Sequence, residues 1–405
     1  MPYGVVIFND VIRHGGKSKK RSATDGWASI DGGPARGIIS VNELESNVKW
    51  FTNFEFTDFN ANGLGRNPNL FFSGFLRTEF KQLAEEIGAS PEQLSAKEAA
   101  RVLSTLFGRV MRMAEQNLGV TFAKNNMSIK GLSDYIAARV ENKNKIPEEI
   151  NDALRAAYQT WIPLVANNPR EWKRIMLRRP RYRHAIEVLS TPVPSEFQWG
   201  YVHNARLPAT NDGRLSWCLG NELPVVANVI VKPRRGDFMD LISYNAGAQQ
   251  ERSWVCQPEL LMLSQFCDVE VIGAFVCEGG FEEQEELKQF PDLGDFTEAS
   301  FSLGILAENF WVSMASPRTT VTGQKFFPPR AVWYRAMDRL SMFMHAVKLQ
   351  REGFKIFGYG TGTICAYYPA GATAELVEFA AKSGLDVPVA TYAGLKTEVR
   401  LNADE

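Results

Sequence analysis

Short apolar runs open the chain at Gly4 to Phe8, Ile38 to Val41 and Lys49 to Phe56, between turns such as Asn60-Ala-Asn-Gly-Leu-Gly65. Their spacing predicts a strand-rich lobe over residues 1–72. From about 73 to 175 the apolar period turns helical. Ser90-Pro-Glu-Gln93 and Ser95-Ala-Lys-Glu98 both read as capping boxes, the second opening a run to Leu118. Pro147-Glu148 starts a further helix, with proline where a missing N–H costs nothing. Strand signals return over 185–280: Phe197 to His203, Leu223 to Lys232, and Val269 to Val276 behind a helix-like Glu259 to Phe266. Helical patterns follow at Glu298 to Met314 and Pro329 to Gln350. Then come two strands around a Gly turn, between Phe354 and Tyr368, and a helix at Thr373 to Ser383. The expectation is an α+β fold in three parts: 1–72 strand-rich, 73–180 helical, and 181–405 an antiparallel sheet packed on helices.

Composition narrows the function classes. Lys and Arg number 45 against 46 Asp and Glu, so net charge carries no message and only local clustering can. No run nears the roughly 18–20 apolar residues of a membrane span, and the first residues lack a secretory layout, so a cytoplasmic protein is expected. Five cysteines without Cys-x-x-Cys spacing and four histidines without a metal-binding spacing give no expectation of a metal or other cofactor.

The sharpest charge cluster is Arg170, Lys173, Arg174, Arg178, Arg179, Arg181 and Arg183, with Trp172 and Tyr182 between them. Cations displace counterions condensed on a phosphate backbone, and aromatic rings stack on unpaired bases, so the segment suits DNA or RNA. A solvated helix end is the plainer alternative. Lys17, Lys19, Lys20 and Arg21, with Arg13 ahead of them, form a second cluster that reads as a flexible arm. Lys232, Arg234 and Arg235 form a third. The acidic run Glu278, Glu282, Glu283, Glu285, Glu286, Asp292 and Asp295 lacks the alternation of an oxygen-ligand loop and reads as solvated surface. Gly358-Tyr-Gly-Thr-Gly362 has neither the trailing Gly of a dinucleotide fingerprint nor the Gly-Lys-Ser/Thr of a P-loop.

In order and hydrophobic pattern, residues 182–368 hold Tyr182-Arg-His-Ala, then Tyr201-Val-His-Asn-Ala-Arg-Leu-Pro208, then Glu259-Leu-Leu-Met-Leu-Ser-Gln-Phe-Cys-Asp-Val-Glu-Val-Ile272. Ile305-Leu-Ala-Glu-Asn-Phe-Trp-Val-Ser313 and Tyr359-Gly-Thr-Gly-Thr-Ile364 follow. This succession resembles the palm and fingers of family B DNA polymerases, most of all the protein-primed kind of phages and linear plasmids. The resemblance implies a palm-like C-terminal domain. It also places Val202, Thr361 and Thr363 where the family carries its metal-binding aspartates, and Ile305 in place of its fingers lysine, with Asn309 kept. Two-metal phosphoryl transfer needs those carboxylates.

The reading that follows is a catalytically inactive, polymerase-like protein of a phage or mobile element that binds DNA or RNA through its basic segments. The alternatives are a structural subunit of a nucleoprotein or virion assembly, with protein partners in that complex, and a metal-dependent nucleic-acid enzyme using the carboxylates of 278–295.

Overall fold

A computed structural model describes residues 2–15, 18–52, 69–72, 95–101, 103–104, 108, 148–164, 170–196, 198–203, 206–234, 241–242, 254–283, 308, 311–319, 323 and 325–386. The architecture is α+β, in two compact units: Met1–Ala138 with Gln289–Phe310, and Arg139–Lys288 with Trp311–Glu405.

The first unit holds a mixed five-stranded sheet of β1 (Tyr3–Gly15), β2 (Ser18–Ile30), β3 (Arg36–Ile38), β4 (Lys49–Thr52) and β5 (Leu70–Phe72), in the order β3-β2-β1-β4-β5. Val6, Phe8, Ala28, Ile38 and Trp50 form its core. The basic arm expected at 13–21 is instead the end of the β1–β2 hairpin, where Arg13 pairs with Lys20 and His14 with Lys19. The hairpin extends because antiparallel pairing runs to Gly15 and Ser18, leaving only a two-residue connection. Lys17 and the Ser90 box lie outside the described residues. The Ser95 box forms as expected: Ser95 Oγ accepts the Glu98 N–H at 3.2 Å, and the helix runs on from there.

The second unit runs α1 (Glu148–Ala157), β6 (Ile162–Pro163), β7 (Trp172–Arg178), α2 (Arg181–Leu189), β8 (Val193–Pro194), β9 (Trp199–Val202), α3 (Asn211–Leu219), β10 (Val225–Pro233) and β11 (Trp254–Cys256). It continues with α4 (Gln257–Phe266), β12 (Cys267–Cys277), β13 (Phe281–Glu282), β14 (Arg318–Thr319), β15 (Lys325–Phe326), α5 (Pro329–Arg351), β16 (Lys355–Gly360), β17 (Thr363–Pro369) and α6 (Thr373–Lys382). Two four-stranded sheets, β11-β10-β12-β9 and β6-β16-β17-β7, share one core with α5, in which Val229, Leu263, Val271, Phe343, Ala346 and Ile364 are buried. Each Val, Leu, Ile or Phe among them contributes about 1.5–3 kcal/mol by leaving water. The small pairs β8–β13 and β14–β15 complete the unit.

α5 is buried along most of its length, charged residues included, and is therefore central. Pro329 opens it, and Gly353 at φ +87° closes it: the Phe354 N–H reaches the Leu349 carbonyl at 3.1 Å and the Gly353 N–H reaches Gln350 at 3.0 Å. Its buried charges are paired. Arg339 grips Glu259 of α4 with two bonds, Nε to Oε1 at 2.7 Å and Nη2 to Oε2 at 2.6 Å.

One expectation is corrected here. Residues 172–178, assigned to a helical region ending at 180, form β7 and pair along their length with β17, so the second unit begins before residue 181. The strand of Tyr201 and Val202 joins β12, in a different sheet from the β16–β17 hairpin.

Candidate nucleic-acid interface

β7 alternates by twos. Ile175 and Leu177 turn into the core, while Trp172, Arg174, Met176 and Arg178 turn the other way. The register sets Arg178 against Thr363, Met176 against Cys365, Arg174 against Tyr367 and Trp172 against Pro369. On this face cations sit over rings. Lys355 Nζ lies 5.5 Å from the centre of Trp172, and the Arg174 guanidinium lies 5.3 Å from both Phe357 and Tyr367, whose rings are 4.6 Å apart. Arg174 also donates from Nε and Nη2 to the Tyr367 hydroxyl at 3.2 and 2.9 Å, which ties the guanidinium to the sheet.

The turn joining β16 to β17 is held from beneath. Thr361 (φ +49°) and Gly362 (φ +66°) make a left-handed two-residue loop, the geometry that matches the twist of a hairpin. Their N–H groups donate to the Asp338 carboxylate of α5 at 2.6 and 2.8 Å, and His184 Nε2 donates to the same group at 2.8 Å. Arg335 reaches Thr361 Oγ1 at 3.1 Å and lies over Trp311 at 4.9 Å. Burial by itself would push the Asp338 carboxyl up; the His184 hydrogen bond and charge, Arg335 and the Gly362 N–H outweigh it and hold the group below the usual carboxylate range. A side chain at Gly362 would meet His184 Cδ2 at 2.9 Å, so the ring closes over the turn.

The seven cations of the basic segment divide between two elements. Arg170 precedes β7; Lys173, Arg174 and Arg178 lie on it; Arg181 and Arg183 fall in the first turn of α2. Arg170, Arg174 and Arg183 are exposed, and Lys173, Arg178, Arg181, Trp172 and Tyr182 are half-buried. Arg179 is buried: Nη1 donates to His345 Nε2 at 3.0 Å, and Nη2 to Glu187. Its expected role in backbone contact is therefore corrected to a structural one, because the β7-to-α2 bend turns it inward. Burial, with the Arg179, Lys348 and His184 charges, pulls the His345 imidazole down to about 4. The neutral ring accepts on Nε2, since a guanidinium can only donate.

Glu171, Glu187 and Asp386 are the carboxylates around these cations. Burial pushes the Asp386 carboxyl up, against the pull of Arg178, Arg183 and Arg179. Lys19, Lys20 and Arg21 fall on β2 in the other unit. Lys232 ends β10 exposed, and Arg234 pairs with Asp268 at 2.8 Å; Arg235 lies outside the described residues. So do Ile305, Asn309, Glu285, Glu286, Asp292 and Asp295. Among the described residues no three His, Cys, Asp or Glu side chains gather as a metal site would need, and no helix is long and apolar enough to cross a membrane.

Sequence reading missed Lys355, Phe357 and Tyr367 on this face and Asp338 beneath it. The period-two order Arg174-Ile-Met-Leu-Arg178 was the available signal for β7, and an aspartate in a stretch that holds Trp333, Tyr334, Met337, Met342 and Phe343 was the signal for a buried polar centre.

No family model and no curated protein matches the chain. Among solved structures it is similar to phi29 DNA polymerase complexed with primer-template DNA, at 12% identity and TM-score 0.49, covering 90% of this chain and 80% of that one. The same polymerase with primer-template DNA and incoming nucleotides gives 10% and 0.46 over the same shares. The family B DNA polymerase of the hyperthermophilic archaeon Pyrobaculum calidifontis gives 10% and 0.44, covering 96% of this chain and 56% of that one.

Proposed function

We propose that the chain binds nucleic acid, without catalysing its synthesis, through the outer face of β7 and the first turn of α2. The carrying observation is the stack of Lys355 on Trp172 and of Arg174 on Phe357 and Tyr367, which sets exposed cations over half-buried and buried aromatic rings on one sheet face. Arg170, Lys173, Arg174, Arg178 and Arg183 would meet phosphates, and Trp172 and Tyr182 would meet bases. The non-catalytic part of the reading draws on the residues at the hairpin turn. Thr361 and Thr363 stand there, and the turn N–H groups are engaged by Asp338.

Fluorescence anisotropy with labelled single- and double-stranded DNA and RNA across a salt series tests this. Affinity should fall steeply with salt. Arg174→Ala/Arg178→Ala/Arg183→Ala should weaken binding at least tenfold and flatten the slope by about 2–3, one ion for each lost phosphate contact. Absent or salt-independent binding would remove the reading.

A further inference from the structure

β7 is an edge strand, and only its last residue is paired on the outer side. Arg178 gives its N–H to the Asp386 carbonyl at 3.0 Å and takes the Asp386 N–H on its own carbonyl at 2.6 Å, away from β17; the next N–H, of Arg179, points back to Gly362 at 2.8 Å. Backbone groups alternate in direction along a strand, so Arg174 and Met176 aim their N–H and C=O groups the same way as Arg178. Among the described residues no backbone group meets them, and Met176 is 46% exposed.

We propose that this open edge takes an extended acidic peptide segment as an added strand. Two donors and two acceptors in ladder spacing ask for a partner that both accepts and donates. A phosphate backbone accepts only, leaving the two carbonyls unmet, whereas a peptide satisfies all four groups. The side chains beside the edge select the charge. Arg170, Lys173, Arg174 and Arg183 flank it, with Lys355 on the same face, against Glu171, Glu187 and Asp386. A second copy of β7 would set cations opposite cations, which opposes pairing. Alternating acidic and apolar residues fit best: one side of the added strand would lie on the face of Arg174 and the other on the face into which Ile175 and Leu177 turn. The inference rests on backbone groups and stands apart from the nucleic-acid reading.

The test uses the full chain and a capped, fluorescein-labelled octapeptide of alternating Glu and Val. The controls are a Lys/Val octapeptide and a Glu/Val octapeptide N-methylated at alternate positions, which keeps every charge and removes the ladder donors. The Glu/Val peptide should bind at least tenfold more tightly than either control. It should also slow hydrogen exchange at the Arg174 and Met176 amides, and lose at least tenfold in affinity to Met176→Pro, which deletes an outward N–H without touching the β17 ladder. Equal binding of the N-methylated peptide, no peptide binding, or affinity undiminished by Met176→Pro would overturn the proposal. Should that variant fail to fold, amide protection in the wild type decides: unchanged exchange at Arg174 and Met176 overturns it.

Discussion

Asp338 accepts three hydrogen bonds in a fully buried position, two of them from a turn that it did not make in sequence and one from His184, 154 residues away. Removing one partner of such a set strands the others without water. Asp338→Asn should therefore lower stability by about 3–5 kcal/mol, seen as a shifted urea midpoint at pH 7 with unchanged slope. Gly362→Ala adds a left-handed backbone penalty to a 2.9 Å approach to His184 and should destabilise by roughly 1–3 kcal/mol in the same assay. At this scale the sequence was legible only in part. Arg174 and Arg179 are two of seven neighbouring cations in a list of letters, yet one lies exposed over two rings and the other is buried against His345 and Glu187. The difference is set by a bend between elements, which neither composition nor charge encodes. Asp338 was harder still, since its partners come from α2 and from the hairpin.

β12, α4, α5 and the β16–β17 hairpin were all readable, because their apolar period, the prolines at their starts and the Gly-rich turn agree with the pairing that forms. β7 was not. The two apolar residues that reveal its period sit inside the basic run, where charge masks them. The hairpin of Arg13 and Lys20 is masked in the same way, in a Gly/Ser-rich stretch that reads as a flexible arm. The C-terminus of α5 offers a clean test of an element boundary. Gly353 sits at φ +87° with nothing near its missing side chain, so Gly353→Ala should cost only the left-handed penalty, about 1–2 kcal/mol, with the fold intact by circular dichroism.

Across the molecule, the α+β class was legible from period alone, whereas the division into units was not: each is assembled from two stretches of chain, and sequence order hides that. Acid should act on the second unit in two stages. An unfolded histidine takes its proton near 6.5, but His345 takes one only at about 4, so between these values the unfolded state binds more protons and stability falls as pH falls. Its full loss is roughly 3 kcal/mol. Asp338, held below its ordinary value, adds a further loss only as pH drops through the carboxylate range and below. Urea midpoints from pH 7 to 5 should decline for the wild type and stay flatter for His345→Gln. The pairing of β7 with β17 carries a cost of another kind. Arg174 and the Tyr367 that it covers are 193 residues apart. At about 5–20 residues per second, β7 leaves the ribosome some 10–40 s before the strand it pairs with. Through that interval it is a strand with two open edges, the state from which chains aggregate. A nascent segment that carries a cation at every second outward position repels its own copies while it waits, so the charges of β7 protect the chain before any partner meets them.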